Sequence, residues 1–171
     1  PAGSDREMKL SILLIAATLA LAACNQNTAI GNDREAELEP AAPAAPIENA
    51  ADALRGIAVA LIKPETMSPA DIAAVGGRNE RCAVKLTEVA FPSFLYEPNG
   101  GGVIKLNGRL IELPRQGENR FFDGGLLVVL RPASGAGNAG LPQMEMIVVP
   151  PEAKDEIGYR GYVQCYGKNE T

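Results

Sequence analysis

The stretch VIKLNGRLIEL, residues 103–113, decides the fold because it contains two short apolar segments joined by Asn107-Gly108. Asn-Gly between apolar segments is the strongest short-range signal for a β-hairpin, since both residues tolerate a positive φ. The pattern therefore predicts two antiparallel strands over residues 103–106 and 109–113.

Four further segments have the composition of strands: residues 82–86, 126–130, 144–148 and 159–166. Three of them alternate apolar and polar residues with a period of two, which is typical of strands with one buried face. Residues 126–130 are a continuous apolar run, which predicts a central strand covered on both faces. In the last segment Gly161, Val163 and Cys165 share the face that we expect to be buried.

The predicted fold is mainly β, a small antiparallel sandwich or a partly open barrel with a short N-terminal helix. That helix is expected at residues 69–75, because Ser68 and Pro69 are typical of a helix start and Gly76-Gly77 follows. Residues 57–62 could be strand or helix. Helical spacing of apolar residues also allows a helix from Ile47 toward Leu61.

The N-terminal part contains an apolar run, residues 10–23, that ends in Leu21-Ala22-Ala23-Cys24. This run of 14 residues is shorter than the roughly 20 that a bilayer-spanning helix needs. It resembles the signal peptide and lipobox of bacterial lipoproteins, over residues 8–23. The alternative is a cytosolic helix that ends in a cysteine by chance. Residues 1–7 precede Met8 and are interpreted as a non-native or upstream extension.

The resemblance to lipoproteins implies a location and an anchor. Cys24 would be diacylated on sulfur and acylated on the amino group freed by cleavage after Ala23, and such multiple acyl chains anchor a protein stably. Asn25 rather than Asp follows the cysteine. By the sorting rule of the family, this implies the outer membrane, with the protein facing the periplasm.

A tether is predicted between the anchor and the folded domain. Residues 24–50 carry one Arg and five acidic residues, a net charge of −4, and an Ala-Pro-rich run at residues 40–46. Proline and like charges keep such a segment extended. Residues 51–171, the expected globular domain, carry 13 Lys and Arg against 14 Asp and Glu. A nearly neutral domain argues against binding of nucleic acid.

Cys82 and Cys165 remain after lipidation, and in an oxidising compartment an even pair most simply forms a disulfide. Two free thiols and a metal site are the alternatives. The chain contains no His, so the sequence predicts no metal site.

No sequence motif indicates a catalytic site or a cofactor. The run from Gly135 to Gly140 matches G-x-G-x-x-G, but Leu141-Pro142 follows instead of a helix, so we expect a hairpin loop and no nucleotide. Without His, a Ser-His or Cys-His site is excluded. Three serines allow Ser-Lys chemistry in principle, and three glutamates could form a carboxylate pair, although solvent-facing strand positions explain them better: Ser68, Ser93 and Ser134; Glu88, Glu112 and Glu145.

Two surfaces are candidates for binding. The first is an expected loop, residues 115–125, where Arg120, Phe121 and Phe122 are adjacent. Both aromatic side chains cannot point inward on a strand, so one could be exposed beside an Arg, a combination enriched in binding hot spots. Alternatively, one Phe fills the edge of the core. The second surface is the outer side of the last strand, formed by Arg160, Tyr162, Gln164 and Tyr166, which could instead pack under residues 57–62.

The domain resembles small exported lipoproteins of unassigned function in its short helix, Cys82, its Asn-Gly hairpin and its terminal GYRGYVQC, residues 158–165. It is also loosely similar to the periplasmic lysozyme inhibitors, which are small disulfide-tied β-barrels. The favoured function is a non-enzymatic, lipid-anchored domain that binds an envelope protein or a cell-wall ligand. The alternatives are an inhibitor of a cell-wall-degrading enzyme and a carboxylate-based hydrolase.

Overall fold

Ten strands form one curled, half-barrel sheet in the structure, a computed structural model that describes residues 41–168. The strands are β1 (Ile47–Glu48), β2 (Cys82–Lys85), β3 (Phe94–Tyr96), β4 (Gly102–Leu106), β5 (Arg109–Leu113), β6 (Arg115–Gly117), β7 (Arg120–Asp123), β8 (Leu126–Ala136), β9 (Pro142–Val149) and β10 (Ile157–Cys165). Their order in the sheet is β1-β5-β4-β3-β2-β10-β9-β8-β7-β6.

The predicted fold class is confirmed. All strand pairs are antiparallel except β1 with β5, and the curled sheet corresponds to the partly open barrel. The Asn107-Gly108 hairpin joins β4 to β5, with φ of 47° at Asn107 and 73° at Gly108. Two positive φ values in a two-residue loop match the right-handed twist of the strands. The predicted signal peptide, lipobox and most of the tether lie outside the described residues.

Strand β10 joins the two halves of the sheet. It pairs with β9 from Ile157 to Tyr162 and with β2 from Tyr162 to Cys165. Cys165 lies opposite Cys82, and the two form the predicted disulfide, with their Cα atoms 3.9 Å apart. The disulfide therefore links adjacent strands at the middle of the sheet. The sequence pattern predicts that this disulfide ties the first strand of the sheet to its last. Cys165 does lie in the last strand, but the first part of the prediction is wrong, because β1 precedes β2 in the chain.

The short helix is confirmed as α2 (Pro69–Ala74), preceded by α1 (Ala50–Ala53). Ser68 caps α2, and its hydroxyl accepts from the Asp71 N–H at 3.1 Å. A continuous helix from Ile47 toward Leu61 is wrong, since that segment contains β1, α1 and a 3₁₀ turn at Val59–Leu61. Residues 45–50, assigned to the tether by composition, are part of the folded unit. The proline and acidic residues of this segment are typical of a tether, but Ile47 and Glu48 form a strand that pairs with β5.

Two further expectations need correction. Residues 115–125 are not a loop, because β6 and β7 run through them. Residues 126–130 begin an 11-residue strand whose Leu127 and Val129 remain half-exposed, so only one face of that strand is buried. The continuous apolar run led to a wrong prediction of a strand covered on both faces, because the outward side chains are apolar although no second layer covers them.

The main core lies on the inner face of the curled sheet. Three aromatic rings join the two halves: Phe121 of β7 lies 5.0 Å from Phe94 and 5.7 Å from Tyr96, between ring centroids. Burial raises the pKa of Tyr96, and the positive charge of Arg115 opposes that rise. Leu54 and Ile62, from the α1 region, also pack into this core.

A second, smaller core covers the outer face of β2–β5. Ile72 and Val75 of α2 pack there with Met67 on apolar side chains of the sheet. This layer closes over one half of the outer face, and it depends on a buried carboxylate.

The Asp71 carboxylate is 1% exposed and holds three parts of the chain together. One oxygen accepts from the Ala45 N–H at 2.7 Å, and the other accepts from Ser68 N–H and Lys105 Nζ, each at 2.7 Å. Burial alone would raise the pKa of Asp71, but the hydrogen bonds from Lys105, Ala45 and Ser68 outweigh it and lower the pKa to about 2.

We expect Cys165→Ser to destabilise the fold. The disulfide closes a separation of 83 residues, which corresponds to about 4 kcal/mol in the chain-entropy model and a fall in melting temperature of about 10 °C or more. Thermal unfolding followed by circular dichroism measures this. Reductant should lower the melting temperature of the wild type by the same amount and leave the variant unchanged. An equal melting temperature for both proteins would contradict the prediction.

Asp71 should make the fold sensitive to acid. Because its folded pKa of about 2 lies below the ordinary aspartate pKa of 3.8, Asp71 stabilises the folded state above pH 4 by about 2 kcal/mol, and this is lost as the pH falls toward 2. Between pH 5 and pH 2, the free energy of unfolding measured in urea should fall by about 2 kcal/mol less for Asp71→Asn than for the wild type. Asp52→Asn, at an exposed carboxylate paired with Arg55, is the control and should keep the wild-type loss.

Candidate functional site

The outer face of β7–β10 is a sheet surface that no described element covers, and we call it the open face. Its rows follow from the strand register, because directly opposed residues project from the same side of a sheet. Three rows cross it: Phe122, Leu127 and Val149; Arg120, Val129, Ile147 and Gly158; Arg131, Glu145 and Arg160. Gln143 and Tyr162 form a fourth row that continues to Lys85 of β2.

The open face combines an apolar patch with cations. Phe122 is 41% exposed, and Leu127, Val129 and Val149 are half-buried around the fully buried Ile147. Arg131 makes a long ion pair of 3.8 Å with Glu156. Within residues 41–168, Arg120 and Arg160 form no ion pair. Two guanidinium groups therefore stand free beside an apolar surface.

The structure brings together most of the residues singled out from the sequence. Arg120 and Phe122 lie on the same face as Arg160 and Tyr162, although β8 and β9 separate them. Phe121 is buried in the core, as the alternative interpretation of this pair predicts for one Phe, whereas Phe122 is exposed. From the sequence, residues 115–125 and the outer side of the last strand are two separate surfaces. The strand order that joins them depends on pairings between distant segments, which the sequence does not display.

Tyr166 lies apart from the open face. The Arg78 guanidinium stacks over its ring at 5.1 Å, and the ring packs against the second core. The Tyr166 hydroxyl donates to Gln164 Oε1, which also accepts from Lys85 Nζ at 3.2 Å. The alternative that this strand face packs under residues 57–62 is wrong, because Ile57 packs against the main core on the other side of the sheet.

The serines considered for catalysis are separated. Ser93 is fully buried, and its hydroxyl is the only buried side-chain polar atom without a partner in the described chain. Its backbone joins β2 to β4, donating to Val84 and accepting from Lys105. A hydroxyl that solvent cannot reach is unable to meet a substrate in this conformation. Ser68 is engaged as the cap of α2, and Ser134 lies exposed on β8.

The three glutamates do not converge either. Both oxygens of Glu88 accept from the Ala139 N–H, at 2.9 and 3.1 Å. Glu112 lies exposed on β5, and Glu145 lies opposite Arg160. Glu112 and Glu145 line different clefts. Among residues 41–168, no three His, Cys, Asp or Glu side chains are grouped as metal ligands require.

A cleft of about 370 Å³ adjoins the open face where β10 leaves β9 for β2. Gly161 and Tyr162 line it together with Leu86 and Met144. A Cβ atom at Gly161 would lie 2.4 Å from the Lys85 carbonyl oxygen, so the close approach of β2 and β10 requires glycine there.

The G-x-G-x-x-G run lies where β8 turns into β9. Gly137 N–H donates to the Leu141 carbonyl and Gly140 N–H to the Gly137 carbonyl, so the run forms the expected hairpin loop. The amides of Gly137 and Gly140 are thus used within the turn, the Ala139 amide is bound by Glu88, and the run does not begin a helix.

Comparison with known proteins places the chain in a sequence family. Residues 20–168 match the family described as "Domain of unknown function (DUF6692)". The chain belongs to this family. No curated protein and no solved structure matches the chain. Across residues 41–168, no helix is both long and apolar enough to cross a membrane.

Two adjacent residues test the assignment of faces. Phe121→Ala should destabilise the protein by about 3–5 kcal/mol, because it removes a fully buried ring. Phe122→Ala should change the free energy of unfolding by no more than about 0.5 kcal/mol, because its ring is exposed. Urea unfolding of both variants measures the difference. A large loss of stability for Phe122→Ala would show that another part of the protein covers the open face.

Proposed function

We propose that this protein is a non-enzymatic, lipid-anchored binding domain of the periplasm that binds an envelope protein through the open face. The observation that carries the proposal is the contrast between the two halves of the outer sheet surface. The second core covers β2–β5, whereas β7–β10 present Phe122, Leu127 and Val149 to solvent. Exposed apolar patches rimmed by polar residues are typical of interaction sites.

The size of the open face suits the centre of an interface. With strands about 4.8 Å apart and alternate residues about 6.8 Å apart, four strands and three rows cover roughly 400 Å². Stable interfaces bury about 800 Å² on each partner. The loops around the face must therefore supply the rim, while Phe122 and the arginines supply the central contacts, as such residues do in binding hot spots.

The charges favour an acidic partner. The unpaired guanidinium groups of Arg120 and Arg160 flank the apolar patch, and Glu145 is the one carboxylate within its three rows. Carboxylates on the partner can pair with a guanidinium in a bidentate manner. We therefore expect a partner that presents an apolar patch bordered by Asp or Glu.

The anchor follows from the lipobox at Cys24. Acyl chains on Cys24 would hold the domain at the outer membrane, and the chain up to Ala41 would set its reach. Inhibition of a cell-wall-degrading enzyme stays a prediction of the sequence, and Arg120 lies on a strand instead of the protruding loop that such an inhibitor would need. A carboxylate-based hydrolase likewise stays a prediction without a cleft that gathers the glutamates.

Site-specific photocrosslinking in cells tests the proposal. A photoreactive residue at position 122 should give one discrete crosslinked protein, whereas the same residue at position 61, which is 65% exposed, should not. Cys24→Ala should release the protein from the membrane fraction and weaken the crosslink, since anchoring concentrates the two partners.

The purified partner then provides the decisive comparison. Arg160→Glu should weaken its binding by about tenfold or more, because a guanidinium–carboxylate contact becomes a repulsion. Arg55→Glu, at an exposed arginine of α1's end, is the matched control and should bind as the wild type does. Equal crosslinking at positions 122 and 61, or binding that Arg160→Glu leaves unchanged, would overturn the proposal.

A further inference from the structure

The loop between β2 and β3 exposes two apolar side chains, and we call Val89 and Phe91 the loop tip. Val89 is 94% exposed and Phe91 46% exposed. Ala90 N–H donates to the Thr87 carbonyl at 3.2 Å, which closes a turn at this point. Single exposed apolar residues are common on protein surfaces, so the surroundings of the tip decide its meaning.

The surroundings of Phe91 are largely apolar with one cation, and the Glu88 carboxylate beside Val89 is bound to the Ala139 N–H. Phe91 borders a cleft of about 470 Å³, whose other wall is α2 with Pro69, Ile72 and Ala73. Arg78 also lines this cleft, and its guanidinium is held over Tyr166. An apolar surface with an arginine at its border matches the chemistry of the boundary between lipid headgroups and acyl chains.

The loop is held in place before any binding. Glu88 fastens it to the β8–β9 turn through the two contacts with Ala139, and the Pro92 carbonyl accepts from the Met67 N–H at 2.8 Å. Because these contacts fix both ends of the tip, burial of its side chains would require little further ordering of the backbone.

The chain enters the folded unit on the same side. Ala45 N–H is bound to Asp71, in the first turn of α2, and Pro69 of that turn lines the cleft with Phe91. Cys24 and Ala45 are 21 positions apart, which is roughly 70 Å if fully extended. An anchor at Cys24 would therefore allow this side of the domain to reach the membrane.

We propose that the loop tip inserts into the phospholipid interface of the membrane and so orients the domain. The inference rests on the lipid anchor of the proposed function and adds a second membrane contact to it. Val89 and Phe91 enter the acyl boundary, while Arg78 lies at the level of anionic headgroups. The acyl anchor then holds the protein at the bilayer, and the loop tip determines which side faces it.

A single tryptophan reports this insertion, because the natural chain contains none. The lipidated protein, beginning at Cys24, is purified in detergent and reconstituted into vesicles of phosphatidylethanolamine and phosphatidylglycerol. In the vesicles, the tryptophan of Val89→Trp should emit at a shorter wavelength than it does in the same variant without its lipid anchor, in buffer without detergent. Lipids brominated on the acyl chain should quench this emission. Leu61→Trp, at a site 65% exposed outside the loop, is the control and should remain unquenched.

Each outcome decides between the two proposals. If the chain does not float with the vesicles, the anchor is wrong, and the loop proposal falls with it. If it floats but tryptophan at 89 stays unquenched, insertion is wrong while the anchor stands. Equal quenching at 61 and 89 also overturns insertion by the loop tip. Crosslinking of position 89 to a protein in cells, without quenching by lipid, would identify the loop as a protein surface. Phe91→Trp repeats the test if Val89→Trp fails to fold.

Discussion

The pairing of β10 with β2, at the point where β10 separates from β9, is the constraint on which the rest of the structure depends. One strand must leave β9 and pair with β2, and Tyr162 is the residue that pairs with both. Only glycine fits beside it, since a side chain at Gly161 would meet the Lys85 carbonyl. Three residues later the Cys82–Cys165 disulfide closes the same strand pair. This junction lets two halves of a single sheet turn toward each other and enclose one core.

Curling gives the sheet two outer faces with different environments. Over β2–β5, Lys105 projects outward, and Asp71 pairs with it while also binding the backbone at Ser68 and Ala45. A buried ion pair contributes little unless hydrogen bonds satisfy its remaining oxygens, and here they do. That carboxylate fixes α2 and its apolar residues over one half. The other half has no described counterpart to α2, and apolar side chains there remain in contact with water.

The sequence predicted those features that local chemistry determines. Asn107-Gly108 specified its hairpin, Ser68 and Pro69 specified the start of α2, and the two domain cysteines specified the disulfide. The failures have a common cause. Ile47–Glu48 forms a strand only because β5 offers an edge, and residues 126–130 looked fully covered because apolar composition does not reveal whether a second layer is present. The open face depends on register across four strands, which a single sequence does not display.

The arrangement of the sheet separates the two surfaces proposed for binding. Phe94 and Phe121 come from opposite halves, and their rings meet inside the core, so the outer faces of those halves point away from each other. Phe91 of the loop tip lies beside α2, on the covered half, whereas Phe122 and Arg120 lie on the other. Contact with a membrane through Val89 and Phe91 would consequently leave the open face turned toward the periplasm. The row Phe122, Leu127 and Val149 lies at the end of β8 and β9 away from the turn that Glu88 binds, so one small domain could hold a lipid surface and a protein partner at once.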